Sequence, residues 1–354
     1  MREYGSEHPA VILPDGYFDT FKSFGYCTWI RSGREALHLV ALNVKGNRQE
    51  PIVLMPAYCC HSMVDPFEKA GWKVVYYRLN EDLTVDLDYL AHVLTIECPQ
   101  AVLTMNFYGS AFTKKAVDCI KKSNPICKVI EDFSHCTFSL AGIYDSQIDY
   151  YVTSIRKSIG VSDGAVIISH TALDEKYIEE GDTEFVNSRR DCQKLKAQYV
   201  YSQRADEKNV FFPELRRQEG KLDNFSGVHR ISKTGGAMLK TVNGEMIAYA
   251  RRENMKHLWG LLNGNVEMVP MLERSFDGAP FSLPILVKNR DEVQKNLAQK
   301  GVYAPVLWPI CDEARTICPV SARMADEMLS IPIDQRYNYE DIEDIASIIL
   351  DICK

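Results

Sequence analysis

The chain has 354 residues, 46% hydrophobic and 25% charged. That is a globular composition and too long for one simple core, so two domains are expected. A formal net charge of -7 argues against a nucleic-acid or anionic-membrane surface, and no apolar run approaches a membrane span. The opening Met-Arg-Glu-Tyr-Gly-Ser-Glu-His has no signal-peptide core. Eleven scattered cysteines suit a reducing compartment better than a disulfide framework. A cytosolic location is the expectation.

Strand and helix signals alternate through the first two-thirds of the chain. A helix is expected over 34–44, opened by Ser32-Gly33-Arg34-Glu35. A strand over 51–55, stopped by Pro56, is followed by a helix over 62–70 and a strand over 73–77. Next come a helix over 87–94, a strand over 101–105 and a helix over 113–122. A strand over 128–130 runs into Glu131-Asp132, and further strands are expected over 150–153 and 165–169. This alternation implies an α/β fold with a mostly parallel sheet between helices. Ligands in such sheets sit at the carboxyl ends of the strands. Asn106, Asp132 and Ser154 fall at or just past such ends.

The stretch 173–236 is polar and rich in turn signals, and reads as helices and loops with a solvated face. A long helix is expected over 244–262. A second, smaller α/β unit follows, with strands over 281–287 and 302–307, a helix over 290–299, and a closing helix over 339–353. The expected division is a large domain over 1–243, including the N-terminal segment, and a small C-terminal domain over 244–354.

Several residues carry chemistry. An aspartate ending one strand and a lysine just past the next, Asp132 and Lys157, match the needs of pyridoxal phosphate. That cofactor requires an amine for its aldehyde and a carboxylate for its pyridine nitrogen. Either residue alone also reads as an ordinary solvated lysine or a turn-capping aspartate. Ser32 and Glu35 have capping-box spacing, and a helix start with glycine is equally a phosphate cradle. Arg34 pairs either with phosphate or with a partner-chain carboxylate. Asn106, in Asn106-Phe-Tyr-Gly109, either bonds a ring substituent or marks a plain strand exit. His135 either touches the cofactor's phenolic oxygen or is a satisfied turn histidine. Ser154 stands three residues before Lys157, placed to bond phosphate. The same spacing serves serine nucleophiles of penicillin-binding proteins, whose partner motifs are missing here. Cys59-Cys60-His61 lacks a second pair at zinc-site spacing, and Cys311 and Cys318 stand too far apart. No metal is expected.

With these motifs in order, the chain resembles the DegT/DnrJ-type sugar aminotransferases, which are fold-type-I pyridoxal-phosphate enzymes. The matching stretches are Ser32 to Leu37, Leu54-Met-Pro-Ala-Tyr58, Asn106 to Gly109, Ile130-Glu-Asp-Phe-Ser-His135, Ser154 to Lys157, and Asp163-Gly-Ala-Val-Ile167. Arg251-Arg-Glu-Asn254, Asn289-Arg-Asp-Glu-Val293 with Gly301, and Leu329-Ser-Ile-Pro332 continue the likeness to about residue 348. The resemblance implies that Lys157 is the Schiff-base lysine and proton shuttle, and that Asp132 binds the pyridine nitrogen. It implies that Ser154 and the backbone at Gly33 and Arg34 hold the phosphate. His135 stands where the family usually has glutamine. Tyr58 is the nearest candidate to stack on the ring, although the family's aromatic often lies two residues later, at Cys60. The family's serine-to-lysine spacing is usually longer. Its partner-chain asparagine falls in a segment that reads Arg230-Ile-Ser-Lys-Thr-Gly-Gly236 here, which makes Arg230, Ser232 and Lys233 the expected partner-chain contacts. The family's sugar dehydratases carry histidine in place of the lysine.

The expected activity is therefore a pyridoxal-phosphate-dependent aminotransferase. It would act as a homodimer with a shared site, moving an amino group from glutamate to a keto sugar, nucleotide-linked, for polysaccharide or glycan assembly. The residues leave open another reaction on the same cofactor, such as an amino-acid lyase or decarboxylase, and a non-catalytic binding protein of the same fold.

Overall fold

The computed structural model describes residues 4–5, 16–109, 113–202, 204–270 and 278–353. Its centre is a sheet of seven strands. In spatial order they are Tyr26–Ile30, Ala165–Ser169, Tyr150–Ser154, Lys128–Asp132, Ala101–Met105, Ile52–Pro56 and Lys73–Tyr77. The last five are mutually parallel. Ala165–Ser169 runs antiparallel to both its neighbours. Strands covered on both faces read as unbroken apolar runs; Ala101–Met105 is buried at every position. Strands 73–77, 101–105 and 165–169 fall where their apolar runs predict.

The helices between strands flank the sheet through apolar faces spaced at three and four residues. Gly33–Lys45 buries Ala36, Leu37, Val40, Ala41 and Val44 and packs on His61–Lys69. Lys114–Ser123 buries Val117 and Ile120 against Leu87–Glu97. Each such side chain contributes roughly 1.5–3 kcal/mol by leaving water.

The polar stretch after the sheet forms a helical hairpin, Thr183–Ser202 and Ala205–Asp223. Salt bridges dock it on the body, Arg31 to Asp182 at 2.7 Å and Arg156 to Glu219 at 2.8 Å, and Arg189 to Glu219 at 2.6 Å ties its two helices together. A second apolar cluster gathers Met255, Leu258 and Leu262 of the helix Gly244–Leu262 with Leu283, Ile285, Leu329, Ile331, Ile342 and Ile345. Its sheet is antiparallel, in the order Glu267–Met268, Ser282–Leu286, Met328–Pro332. Tyr4, near the N-terminus, also packs into it.

Some expectations need correction. Tyr26–Ile30 is a strand that was not expected; its Tyr, Thr, Trp and Ile are ordinary strand formers, on a short edge strand half-buried along most of its length. The 302–307 strand shrinks to Val302–Tyr303, which pairs with Tyr4–Gly5. The stretch 230–236 is not a loop. Ser232 caps a helix, Lys233–Leu239, by accepting from Gly235 N–H at 2.9 Å.

Candidate active site

A cleft of about 960 Å³ opens at the carboxyl ends of the Tyr26–Ile30, Lys128–Asp132 and Tyr150–Ser154 strands. Ser32, Gly33, Arg34, Asp132, His135, Ser154 and Lys157 all line it. The helix start at Gly33 forms one end. Ser32 Oγ accepts from Glu35 N–H at 3.4 Å and donates to Glu35 Oε2 at 2.8 Å, so the cap is built from both partners. Glu35, fully buried, is held by Arg31 through two bonds, at 3.0 and 2.8 Å, and by His229 at 2.8 Å. The N–H groups of Gly33 and Arg34 remain without an acceptor inside the helix. A Cβ on Gly33 would sit 2.9 Å from Ser154 Cβ, so only glycine lets the helix start and the strand end approach this closely. Backbone donors, a helix dipole and a serine hydroxyl converge there, which is the chemistry of a phosphate site.

Asp132 and Glu131 are consecutive on one strand and so face opposite sides of the sheet. Asp132 faces the cleft, and its Oδ1 accepts from Ser134 N–H at 2.8 Å. Ser134 Oγ in turn accepts from Ser154 N–H at 2.9 Å, linking the two strand ends. Lys157 ends a three-residue 3-10 turn, Ile155–Lys157. The neighbouring Arg156 is held by Glu219 through both guanidinium nitrogens, at 2.8 and 3.0 Å. Lys157 Nζ has no hydrogen-bond or salt-bridge partner among the described residues.

His135 is buried in an aromatic stack. Phe281 lies flat on it, with centroids 4.4 Å apart and planes 3° apart, and Trp308 stacks at 5.4 Å. Burial first, then the charges of Lys157 and Arg251, hold its pKa well below 6.5. The ring is therefore neutral. Its Nδ1 accepts from Tyr108 N–H at 3.3 Å, which leaves the proton on Nε2. Tyr108 (φ 55) and Trp308 (φ 64) both adopt left-handed backbone beside it, strain of the kind that clusters at functional sites.

Other expected residues lie elsewhere. Tyr58 does not line the cleft. It is fully buried, stacks near Phe107 and Trp308, and donates to Leu307 O at 2.6 Å; Cys60 lines the cleft instead. Asn106 sits behind the wall, and its Oδ1 is buried without a partner. Arg34 sends its side chain to Asp223 of its own chain. Ser232 is engaged by Asp163, at 2.9 Å from its hydroxyl and 2.6 Å from its N–H. Arg230 pairs with Glu175 at 3.2 Å, while Lys233 is exposed. None of these last three lines the cleft. Phe281, Trp308, Arg251 and Ser134 do line it, and none had a role assigned from the sequence. Their place depends on contacts across 20 to 170 residues that no local pattern encodes; Ser134 alone had a signal, two residues past Asp132 in a strand exit.

The DegT/DnrJ/EryC1/StrS aminotransferase family matches residues 15–350. The chain belongs to this family. It is an aminotransferase, and the sheet and its helices are the fold-type-I architecture. PseC of Helicobacter pylori, an aminotransferase involved in the biosynthesis of pseudoaminic acid, superposes with a TM-score of 0.70 at 14% identity, covering 99% of each chain. DesV of S. venezuelae, solved with a ketimine intermediate, gives 0.66 at 15% identity over 98% of this chain and 91% of its own. Spr1654 of Streptococcus pneumoniae, in its PLP form, gives 0.69 at 10% identity over 99% and 98%. No curated protein sequence matches the chain. No helix among the described residues is long and apolar enough to cross a membrane.

Proposed function

We propose that this family member uses pyridoxal phosphate to move an amino group from an amino-acid donor, glutamate, to a keto sugar carrying a nucleotide. The observation that carries the reading is the convergence of Lys157, Asp132 and the Gly33–Ser154 cradle on one cleft. These residues fit the cofactor. The cradle suits a phosphate, the Asp132 carboxylate suits a protonated ring nitrogen, and Lys157 supplies an amine with no competing partner. The orphaned Asn106 Oδ1 is a buried acceptor in want of a donor, next to Asp132 in space through a 3.4 Å backbone bond.

When bound, pyridoxal phosphate supplies an aldehyde for amines and a cationic ring that draws electron density from the donor's Cα. Asp132 keeps the ring nitrogen's proton in place by a charge-assisted hydrogen bond. With the cofactor in place, the Lys157 amine would take a proton from the donor's Cα in the first half-reaction and would give one to the acceptor carbon in the second. Neutral His135 offers its Nε2 proton without adding charge. The stack of His135, Phe281 and Trp308 excludes water on that side, which strengthens each electrostatic contact.

The protein is proposed to work in the cytosol as a two-fold dimer. Lys233, exposed at the end of the Ser232 cap, is the residue of the expected trio offered to a second copy. Sedimentation of the purified protein as a monomer would remove the dimer. The cofactor reading is tested with borohydride, which should fix pyridoxal phosphate to the Lys157 peptide. Labelling at Lys194, Lys233 or another lysine, with Lys157 unlabelled, refutes it. Glutamate should then discharge the yellow colour and a keto sugar restore it.

A further inference from the structure

We infer that Arg251 and Gln335 are positioning residues for Lys157, an inference that rests on the pyridoxal-phosphate reading above. The contact is the carbonyl of Ser158, the residue that follows the lysine. It accepts from Arg251 Nη2 at 3.2 Å and from Gln335 Nε2 at 2.9 Å. Gln335 Oε1 accepts from Arg251 Nε at 2.9 Å. The three groups close a ring that joins the lysine turn to two segments remote in sequence.

The guanidinium continues into the cleft wall. Arg251 Nη1 donates to the carbonyls of Pro280 at 3.2 Å and Phe281 at 3.1 Å, and the Phe281 ring lies flat on His135. One planar fork thus addresses three carbonyls and an amide oxygen. Arg251 is 2% exposed, and no carboxylate pairs with it among the described residues. Burial pulls its pKa down to about 10. A buried cation with no carboxylate in direct contact, on which Asp334 acts only through space, is a costly way to join two units, since apolar side chains of similar volume do that as well or better. What the fork adds is direction. It fixes the plane of the Ser158 peptide and, through it, the exit of the Lys157 side chain.

The other side of the turn is fixed independently. Ser158 N–H donates to Ile155 O at 2.9 Å, and Arg156 is clamped by Glu219 of the helical hairpin. Lys157 therefore stands between a residue tied to the hairpin and a peptide tied to the C-terminal unit. Its own ammonium stays unengaged.

The test separates orientation from adhesion. Gln335→Glu keeps an oxygen for Arg251 Nε but removes the N–H that reaches Ser158, and places a carboxylate beside that carbonyl. Arg251→Lys removes the fork while keeping the charge. Full-length protein stripped of cofactor is mixed with pyridoxal phosphate and quenched with borohydride at intervals. Labelled Lys157 peptide is then quantified by mass, with exposed Lys194 as the internal clock. Both variants should slow capture at Lys157 by about tenfold or more, the scale of a small misplacement of a reacting group, with capture at Lys194 unchanged. In turnover kcat should fall while KM for the donor holds. The melting temperature of Gln335→Glu should stay near that of the parent. Parent-like capture at Lys157 in a folded Gln335→Glu protein overturns the inference alone. Parent protein that never labels at Lys157 overturns the cofactor reading and the inference together.

Discussion

Glu131 offers a stability test that leaves the chemistry untouched. It is 1% exposed and sits on the sheet face opposite Asp132, where Thr104 donates a hydroxyl hydrogen bond to it. Burial raises its pKa from 4.5 to about 8, against the lowering effect of the threonine hydroxyls. The folded chain therefore keeps this proton where the unfolded chain releases it. Stability is fully present below about pH 4.5 and is lost as pH rises towards about 8. At 1.36 kcal/mol for each pH unit of difference, the loss is on the order of 5 kcal/mol across that window. Glu131→Gln has the same shape and cannot ionise. Urea unfolding at a series of pH values should show the parent weakening steadily from pH 5 to 8 and the variant nearly flat. Above pH 8 the variant should be the more stable protein, by that amount less about 1 kcal/mol for a weaker bond to Thr104. Cofactor capture at Lys157 should not change. A variant with the parent's pH slope would show that Glu131 is ionised in the fold, and the argument from burial would fail.

Two further outcomes follow from the cleft's end. Gly33→Ala puts a methyl 2.9 Å from Ser154 Cβ; forcing the helix start from the strand end should cost about 1–2 kcal/mol, or roughly tenfold in affinity for pyridoxal phosphate by fluorescence titration. An unchanged affinity would remove the phosphate from this cradle. Arg31→Met strips the buried Glu35 of its bidentate partner and should cost about 3–5 kcal/mol in thermal unfolding. The double variant with Glu35→Gln should recover much of that, because the cost lies in the unpaired charge, and a double variant as unstable as the single one would contradict this.

The parallel core was legible because buried strands are apolar runs. The stretches 73–77 and 101–105 need no tertiary information, nor does the antiparallel 165–169, and the helices 244–262 and 290–299 fall where their periodicity predicts. Strand Tyr26–Ile30 was not legible. It is short, its first residue Tyr26 is exposed, and the sequence has no clean alternation to show. Glycines 235 and 236 misled in a different way, since glycine reads as a loop. In the structure a Cβ on Gly235 would lie 2.3 Å from Asp163 Oδ1. That glycine makes room for the carboxylate that anchors Ser232; it does not loosen the chain. Lys157, Asp132, His135 and the Gly33 cradle could be picked out because each follows a strand end or opens a helix. Tyr58 carried the same signal and lies in the core, packed by Phe107 and Trp308 and bonded to Leu307 O. Arg251 had no local signal, since what matters is a carbonyl 93 residues earlier.

The antiparallel strand at 165–169 has a mechanical consequence. Between parallel strands the chain must cross over through a helix, but here it turns straight back beside the strand it left. The ladder of Tyr150–Ser154 with Ala165–Ser169 runs up to the pair Ser154 and Ala165 and is extended by Ile155 N–H to Gly164 O at 3.0 Å. The tether bearing Lys157 is thus knotted to adjacent strands at both ends. Its two ends cannot part without unzipping the sheet. On the proposal that Lys157 holds and releases the cofactor's aldehyde, its movement would be confined to its four-carbon stem. That motion is a change of side-chain torsions, which takes picoseconds to nanoseconds, rather than the microseconds of a moving loop. On the same proposal, the Lys157 amine would stay within a stem's length of the carbon it serves.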